Sequence, residues 1–289
     1  MALTANRDLI KKLIGLFAAK FIKDHFNQNG NLSDVIEEVS SGSTDSILSL
    51  VRTYHSTTKQ NIYLFKLNRN FRSESDMNDF PLNINDSSTS GNKRYYYLYP
   101  ETTFSVYLSN PVEMQPLSFL QPVVLEIENQ TLIISFTKLQ KDVKSYFQRD
   151  RNPKLAGETN IESETLSIII DHFAATIGIE TNDFNAGIKS LWADDILDCH
   201  KIRYMDPHST ILITMNDTLT FKQQYPEKYT EMQHAPIAAS VWKFREAGED
   251  GSVLDTFACD PTAGTISINK YSDNTNQTAY VINRILGQN

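Results

Sequence analysis

The apolar positions of the N-terminal segment recur with the spacing of amphipathic helices. One series returns every fourth residue and comprises Leu9, Leu13, Phe17 and Phe21. This spacing predicts a single helix from Thr4 to Phe26, because residues four apart lie on one face of a helix. Shorter helices are expected over Asp34–Val39 and Asp45–Tyr54, the second of them capped by Ser43 or Thr44. The chain is therefore expected to begin with a helical segment.

The middle of the chain changes to patterns that favour β-strands. Residues Ile62 to Leu67 are almost all apolar, which is typical of a strand buried on both faces. Residues 68–93 are rich in Asn, Ser and Asp and are predicted to form a long exposed loop. Further strands are predicted over Tyr95–Tyr99, Thr103–Ser109 and Val123–Phe136. A turn at Asn129 and Gln130 would make the last of these a hairpin, and a helix from Thr137 to Gln148 is expected to follow.

The C-terminal part is predicted to hold two helices and then a series of strands. Residues 149–160 contain Pro153, Gly157 and mixed charge, which predicts a linker. Helices are expected over Glu164–Ile177 and Asn182–Ala193. The predicted strands are Ile211–Met215, Leu219–Phe221, Val241–Arg245, Val253–Phe257, Thr265–Lys270 and Thr278–Ile285. Turns at Asn216-Asp217 and Asp250-Gly251 are expected to join them as an antiparallel meander.

Strands and helices that are grouped, rather than alternating singly, indicate an α+β fold. N-terminal helices with a β-rich middle would be followed by two helices packed on a C-terminal antiparallel sheet. A chain of 289 residues favours two domains. The linker places them at 1–150 and 151–289. The first would contain the helical residues 1–55, the exposed loop and the strands and helix of 94–148.

Composition and charge narrow the class of protein. Apolar residues make up 40% and charged residues 21% of the chain, as in ordinary globular proteins. The net charge of -8 argues weakly against broad binding to nucleic acid. Cys199 and Cys259 lie far apart, which predicts free thiols in a reducing compartment and excludes zinc sites built from cysteine pairs. Lysines interrupt the first apolar stretch, so we expect neither a signal peptide nor a membrane span. The protein is therefore expected in the cytoplasm, or assembled in the cytoplasm of a host cell.

The most specific chemical motif is Asp194-Asp195-Ile196-Leu197-Asp198. On a continuous helix, Asp194 and Asp198 would lie one turn apart and could share a divalent cation. The string resembles the aspartate-rich motif of isoprenoid synthases, in which carboxylates hold magnesium against a diphosphate. That resemblance covers five residues and implies an all-helical fold with a second metal motif, which this chain lacks. The alternative is an acidic helix end facing solvent, with the helix ending near Ala193.

Histidines near the motif extend the metal hypothesis. His200 follows the aspartates directly, and with Asp194 and Asp198 it gives a candidate metal set of mixed nitrogen and oxygen ligands. Asp206 and His208 could complete the set, although no H-x-x-x-H or H-E-x-x-H spacing is present.

The chain contains one basic stretch with interleaved aromatic residues. Its members are Lys138, Lys141, Lys144, Tyr146, Phe147, Arg149, Arg151 and Lys154. Basic and aromatic residues together could contact nucleic acid or an acidic partner. An amphipathic helix whose lysines form its solvated face is the alternative interpretation.

Three classes of function follow from these patterns. Phosphate-binding glycine loops, nucleophile elbows and kinase motifs are absent from the sequence. The favoured hypothesis is therefore a non-enzymatic assembly protein, such as a phage or virion tail or neck component, that acts with protein partners or copies of itself and needs no cofactor. One alternative is a binding or regulatory module, as in phage defence or counter-defence, that uses residues 138–154. Another is a metal-dependent enzyme that uses Asp194, Asp195 and Asp198.

Overall fold

The computed structural model describes residues 6–109, 111–139, 143–156, 161–206, 209–215, 219–245, 254 and 256–287. The chain divides into two compact units, each built from separate stretches of sequence. Unit 1 comprises Met1–His55, Arg69–Asn129 and Phe136–Gly178. Unit 2 comprises Ser56–Asn68, Gln130–Ser135 and Ile179–Asn289. These boundaries differ from a single division at residue 150, and the independent folding of 1–150 and 151–289 stays a prediction.

Helices and strands both contribute substantially, which confirms the α+β class. The helices are α1 Arg7–Ile14, α2 Ala19–Phe26, α3 Leu32–Val39, α4 Thr44–Tyr54, α5 Ser73–Asp76, α6 Ile161–Thr176, α7 Asn185–Ala193, α8 Phe221–Gln224, α9 Pro226–His234 and α10 Gln277–Leu286. The strands are β1 Gln60–Leu67, β2 Asp86–Ser90, β3 Lys93–Leu98, β4 Glu101–Ser109, β5 Val112–Leu120, β6 Val123–Glu128, β7 Thr131–Thr137, β8 Lys154–Leu155, β9 Ile179–Thr181, β10 Leu197–Asp206, β11 Ser209–Thr214, β12 Ile237–Phe244, β13 Thr256–Asp260 and β14 Thr265–Ile268. No helix in these ranges is long and apolar enough to cross a membrane.

Antiparallel strand pairs occur in each unit. In unit 1, the order β6-β3-β2 forms one set of paired strands, and β5-β4-β8 forms a separate three-stranded sheet. In unit 2, the strand order is β11-β10-β12-β13-β14-β1-β7, and the short β9 also pairs with β1. The consecutive neighbours β12, β13 and β14 confirm the central part of the predicted C-terminal meander. The turn at Asp250-Gly251 lies outside the described residues.

The first helix is shorter than predicted, because the chain bends in the middle of the apolar series. The side chain of Asn6 caps α1 by accepting a hydrogen bond from the backbone nitrogen of Leu9 at 2.9 Å. The helix ends at Gly15, and Ala18 is extended, with φ -67° and ψ 143°, before α2 begins. Phe17 is buried within this bend. The apolar residues therefore recur every four positions although the helix is interrupted between α1 and α2. The prediction of one helix over Thr4–Phe26 is wrong.

The next two helices confirm the sequence pattern. Helices α3 and α4 begin within two residues of their predicted first residues. Ser43 caps α4, since its hydroxyl oxygen accepts a hydrogen bond from the backbone nitrogen of Ser46 at 3.2 Å. The buried residues of these helices, including Leu50 and Val51, join those of α1 in the main core of unit 1.

Residues 68–93 are more ordered than the predicted exposed loop. They contain α5 and β2, and β2 pairs with β3 from Asp86 to Ser90. The side chain of Asp76 is almost fully buried. The polar composition of this stretch therefore reflects internal hydrogen bonding as well as exposure.

The predicted helix over Thr137–Gln148 is wrong. Strand β7 continues to Thr137, and the described residues beyond it form short 3₁₀ turns at Val143–Ser145 and Arg149–Arg151. The predicted linker is also structured as far as it is described. Its residues 154 and 155 form β8, which pairs with Tyr107 and Val106 of β4.

Two predicted strands of the C-terminal part are helical instead. The hydroxyl of Thr220 and the side chain of Gln223 form a capping box at the start of α8, so Leu219–Phe221 is not a strand. Residues Thr278–Ile285 lie in α10, where Val281, Ile282 and Ile285 face the core. Strands β5 and β10 and helix α9 were not predicted, and Asn216-Asp217 lies outside the described residues.

Aromatic side chains fill the core of unit 2. The rings of Trp192 and Trp242 lie 5.1 Å apart between centroids, and Trp192 also contacts the ring of Phe221 at 5.2 Å. Both cysteines are free thiols buried in this core. Burial raises the pKa of the Cys259 thiol to about 12, so this thiol stays protonated and unreactive near neutral pH.

Candidate functional site

The structure places the predicted acidic cluster at the end of a helix and the start of a strand. Helix α7 ends at Ala193, and Asp194 is its exposed C-terminal cap. Asp195 has a left-handed backbone with φ 59°. Its carboxylate lies 2.8 Å from the ammonium of Lys222 and 3.4 Å from the guanidinium of Arg245. The two adjacent aspartates therefore face solvent, and one of them is already neutralised by two cations.

Asp198 lies beyond the helix, in strand β10, and has a structural role. Its Oδ1 atom accepts hydrogen bonds from the backbone nitrogens of Cys199 at 3.0 Å and Phe221 at 3.2 Å. It thereby holds the first turn of α8. Because α7 has ended, Asp194 and Asp198 do not share a helix face as the motif requires.

The histidine part of the metal hypothesis gains no geometric support. His200 lies half-buried in β10 and has interactions of its own. The side chain of Asp206 is not among those described, and His208 lies outside the described residues. Across the described ranges, no three His, Cys, Asp or Glu side chains lie close enough together to hold a metal ion. The set of Asp194, Asp198 and His200 stays a prediction.

The basic and aromatic stretch is largely engaged within unit 1. The ring of Tyr146 packs against Phe119, with centroids 5.4 Å apart, and Phe147 packs on the same small core. Arg151 forms an ion pair with Glu113 of β5. Lys138 is half-buried and Lys144 is exposed, and both have interactions within the protein. Lys141 and the side chain of Arg149 lie outside the described part. The aromatic residues therefore contribute to packing, and contact of the basic residues with a partner stays a prediction.

An ion pair that the sequence did not predict, between a partly exposed arginine and a buried aspartate, holds the segment after β1. The guanidinium of Arg69 donates to both carboxylate oxygens of Asp76, at 2.7 Å and 2.9 Å. The backbone N–H of Arg72 and the hydroxyl of Ser75 also donate hydrogen bonds to the Asp76 carboxylate. The Arg69 hydrogen bond holds the pKa of Asp76 near 2. His172 of α6 contacts the carbonyl oxygen of Asp76 at 2.7 Å. The cluster fastens a loop to a helix.

An exposed apolar patch lies on the hairpin of β4 and β5 in unit 1. Tyr107 is 37% exposed, Met114 55% and Val112 72%. They account for three of the six large apolar side chains that are exposed among the described residues. In β4 every second residue is exposed and the residues between are buried, so one face of this hairpin covers a core and the other is open. We call Tyr107, Val112 and Met114 the hairpin patch.

The hairpin patch forms because the strands pair in a particular register. Tyr107 lies directly opposite Met114, and Ser109 lies opposite Val112. Residues opposite each other in an antiparallel pair project from the same face. The patch is therefore contiguous across both strands. Isolated exposed apolar residues are normal, whereas large contiguous apolar patches are typical of contact surfaces.

The open face of the unit 2 sheet is a second candidate surface. A cavity of about 330 Å³ lies there, and Ala239, Ala258 and Ser267 are among the small residues that line it. Lys201 and Arg203 line it too and are exposed. Neither forms an ion pair with any residue in the described part of the chain. The cavity thus combines small side chains with two positive charges and the carboxylate of Asp260.

Sequence reasoning missed both surfaces. Alternation of apolar and polar residues in a strand predicts one buried face, and it does not distinguish a covered face from an open one. The lysine and arginine of β10 carried a signal, since Lys201 and Arg203 are two residues apart and share a face, but β10 itself was not predicted. Comparison with known proteins finds no protein-family model that matches this chain. It also finds no curated protein with significant similarity.

Proposed function

We propose that this chain is a non-enzymatic assembly protein that associates with another protein surface through the hairpin patch. The observation that carries the proposal is the concentration of exposed apolar area on one face of β4 and β5. Leaving apolar surface in water costs roughly 25 cal/mol per Å². Covering the patch with a partner would recover part of that free energy.

The rest of the described chain is consistent with this proposal. Candidate catalytic groups serve structural roles: Asp198 caps a helix, Asp76 is paired with Arg69, and the thiol of Cys259 is buried. Residues 69–93, which were predicted to lie in an exposed loop, are held within unit 1 by hydrogen bonds and strand pairing. The interface is therefore proposed at the hairpin and not at that segment.

The test is the mass of a variant in solution. Replacing Val112 and Met114 by glutamate should weaken association at least about tenfold, because an unpaired carboxylate buried in an interface costs more than 1.4 kcal/mol. Leu219→Glu is a matched control, since Leu219 is 51% exposed and lies outside the patch. Equal masses for the wild type, the double variant and the control at every concentration would contradict the proposal.

The open face of the unit 2 sheet favours a second function, which is binding of a small carboxylate or phosphate ligand. Arginine binds both groups through two parallel hydrogen bonds. The cavity volume of about 330 Å³ lies within the range of small-molecule sites. Inorganic phosphate and succinate, titrated separately while backbone amide resonances are followed, would distinguish the two ligand types. We expect resonance shifts at positions 201 and 203. These shifts should vanish in the Lys201→Met, Arg203→Met variant and persist in Lys228→Met. Absence of any saturable shift would contradict this function.

A further inference from the structure

Strand β5 is an edge strand, and its backbone orientation can be assigned. Among the described strands, β5 pairs with β4 alone, and β4 also pairs with β8. The carbonyl oxygen of Ser105 accepts a hydrogen bond from the backbone nitrogen of Ala156, just after β8, at 2.8 Å. The backbone N–H and C=O groups of Ser105, and those of Tyr107 two residues later, therefore point towards β8. Those of Val106 point towards β5, because successive residues of a strand alternate in direction.

The register transfers this alternation to β5. Gln115 lies opposite Val106 and so turns its backbone groups towards β4, whereas Met114 and Pro116 turn theirs to the free edge. Two further observations agree. Proline has no N–H, and it is tolerated in a strand where its nitrogen faces away from the ladder. The carbonyl oxygen of Ser118, two residues further, accepts a hydrogen bond from the ammonium of Lys12 at 3.1 Å.

Lys12 covers only the far part of this edge. Its ammonium also lies 5.5 Å from the centre of the Phe119 ring. Among the described residues, the backbone groups of Met114 and the carbonyl of Pro116 have no partner on the free side of β5. An edge strand with free backbone groups and exposed apolar side chains is a template for another strand.

We infer that the partner is a second copy of this chain, which pairs its own β5 antiparallel to this one about a two-fold axis at Met114. The inference rests on the proposed assembly function and specifies its partner. At this register Met114 faces its own copy, and Val112 faces Pro116 of the copy. All of these side chains lie on the solvent-exposed face of the hairpin.

The opposite face of the strand is self-complementary in the same register. Glu113 would face Gln115 of the copy, so a carboxylate meets an amide and not another carboxylate. Within one chain, the Gln115 amide already donates to Glu113 at 2.8 Å. A two-fold arrangement brings the same patch of both copies together and closes the assembly as a dimer. The turn at one end and Lys12 at the other limit the pairing to residues 112–116.

A cysteine at the axis tests this geometry. In a Met114→Cys variant the two thiols would face each other across one strand spacing, within reach of a disulfide. In Tyr107→Cys they would be three strand spacings, or about 14 Å, apart, which is too far. The native Cys199 and Cys259 are buried, so they should not interfere. Under mild oxidation we expect a covalent dimer for Met114→Cys and none for Tyr107→Cys or the wild type.

A proline at the same position provides an independent test. Met114→Pro removes an N–H that faces the free edge and leaves the bonds between β4 and β5 in place. It should retain the thermal stability of the wild type to within a few degrees and weaken association at least tenfold. Two outcomes would overturn the pairing but not the assembly function. Either both cysteine variants cross-link to the same extent, or neither variant cross-links although the wild type still associates. A monomeric wild type that also fails to cross-link as Met114→Cys would overturn both.

Discussion

Tyr107 and Met114 face each other across β4 and β5, and both side chains are exposed to solvent. On the other face of the same hairpin, Val106 and Phe104 are buried in a core. The hairpin thus has large apolar side chains on both faces, and the protein covers those of one face. A partner that covers the other gives the simplest physical reason for keeping large apolar side chains there.

Salt should strengthen self-association of this chain. The net charge is -8, so two copies repel each other, and salt screens that repulsion. Raising the ionic strength from about 0.05 M to about 0.5 M should therefore lower the dissociation constant, as measured by sedimentation velocity. An interface that depends on ion pairs would respond in the opposite direction.

The ion pair of Arg69 and Asp76 should contribute to stability. Arg69→Met leaves a carboxylate that is only 1% exposed without its cation, which should lower the free energy of unfolding. Asp76→Asn removes the charge and replaces one acceptor oxygen by an amide nitrogen that cannot accept hydrogen bonds, so it should also lower the free energy of unfolding. Urea denaturation measures both values. An unchanged free energy of unfolding in Arg69→Met would contradict the pairing that the structure assigns to this carboxylate.

His55 should make the stability fall in mildly acidic solution. Burial lowers its pKa from 6.5 to about 4. The folded state therefore disfavours the charged imidazole, and the stability that His55 contributes is present above pH 6.5 and lost as the pH falls towards 4. The free energy of unfolding of the wild type should decrease over this range.

His55→Gln is the matched variant for this measurement. It removes the ionisable group and should flatten the pH dependence between 6.5 and 4. An unchanged slope in His55→Gln would assign the effect to other groups.

Substitutions at the acidic cluster separate a structural role from metal binding. Asp198→Ala should lower the free energy of unfolding by about 1–2 kcal/mol, because it removes the acceptor for two backbone nitrogens. Asp194→Asn should have no measurable effect on stability, since Asp194 is exposed. Isothermal titration with magnesium is expected to give no saturable heat for the wild type. Saturable binding that is lost in the Asp194→Asn, Asp198→Asn variant would restore the metal hypothesis.

Local patterns predicted those elements whose burial is periodic and whose ends carry capping residues. Ser43 before α4 and the left-handed Asn129 between β6 and β7 are examples, since each residue type favours that backbone position. Helix α6 was predicted from the helical spacing of its apolar residues. The grouping of these elements was sufficient to predict the α+β class.

Tertiary packing decided the elements that the sequence did not reveal. Residues 278–285 contain Val281, Ile282 and Ile285, whose β-branched side chains favour a strand, yet their spacing suits a helix packed on the core. Pro116 and the polar residues around it concealed β5. The pairing of Arg69 with Asp76 and the exposure of Met114 depend on which surfaces the fold covers, and no local pattern encodes that.

The mass of the wild-type chain in solution, measured by light scattering over a concentration series, tests the central claim most directly. If the hairpin patch mediates assembly, the mass should rise from 32.9 kDa towards twice that value as concentration increases. The Val112→Glu, Met114→Glu variant should stay at the lower value over the same range. A wild type that remains at 32.9 kDa at every concentration would contradict self-assembly through this surface.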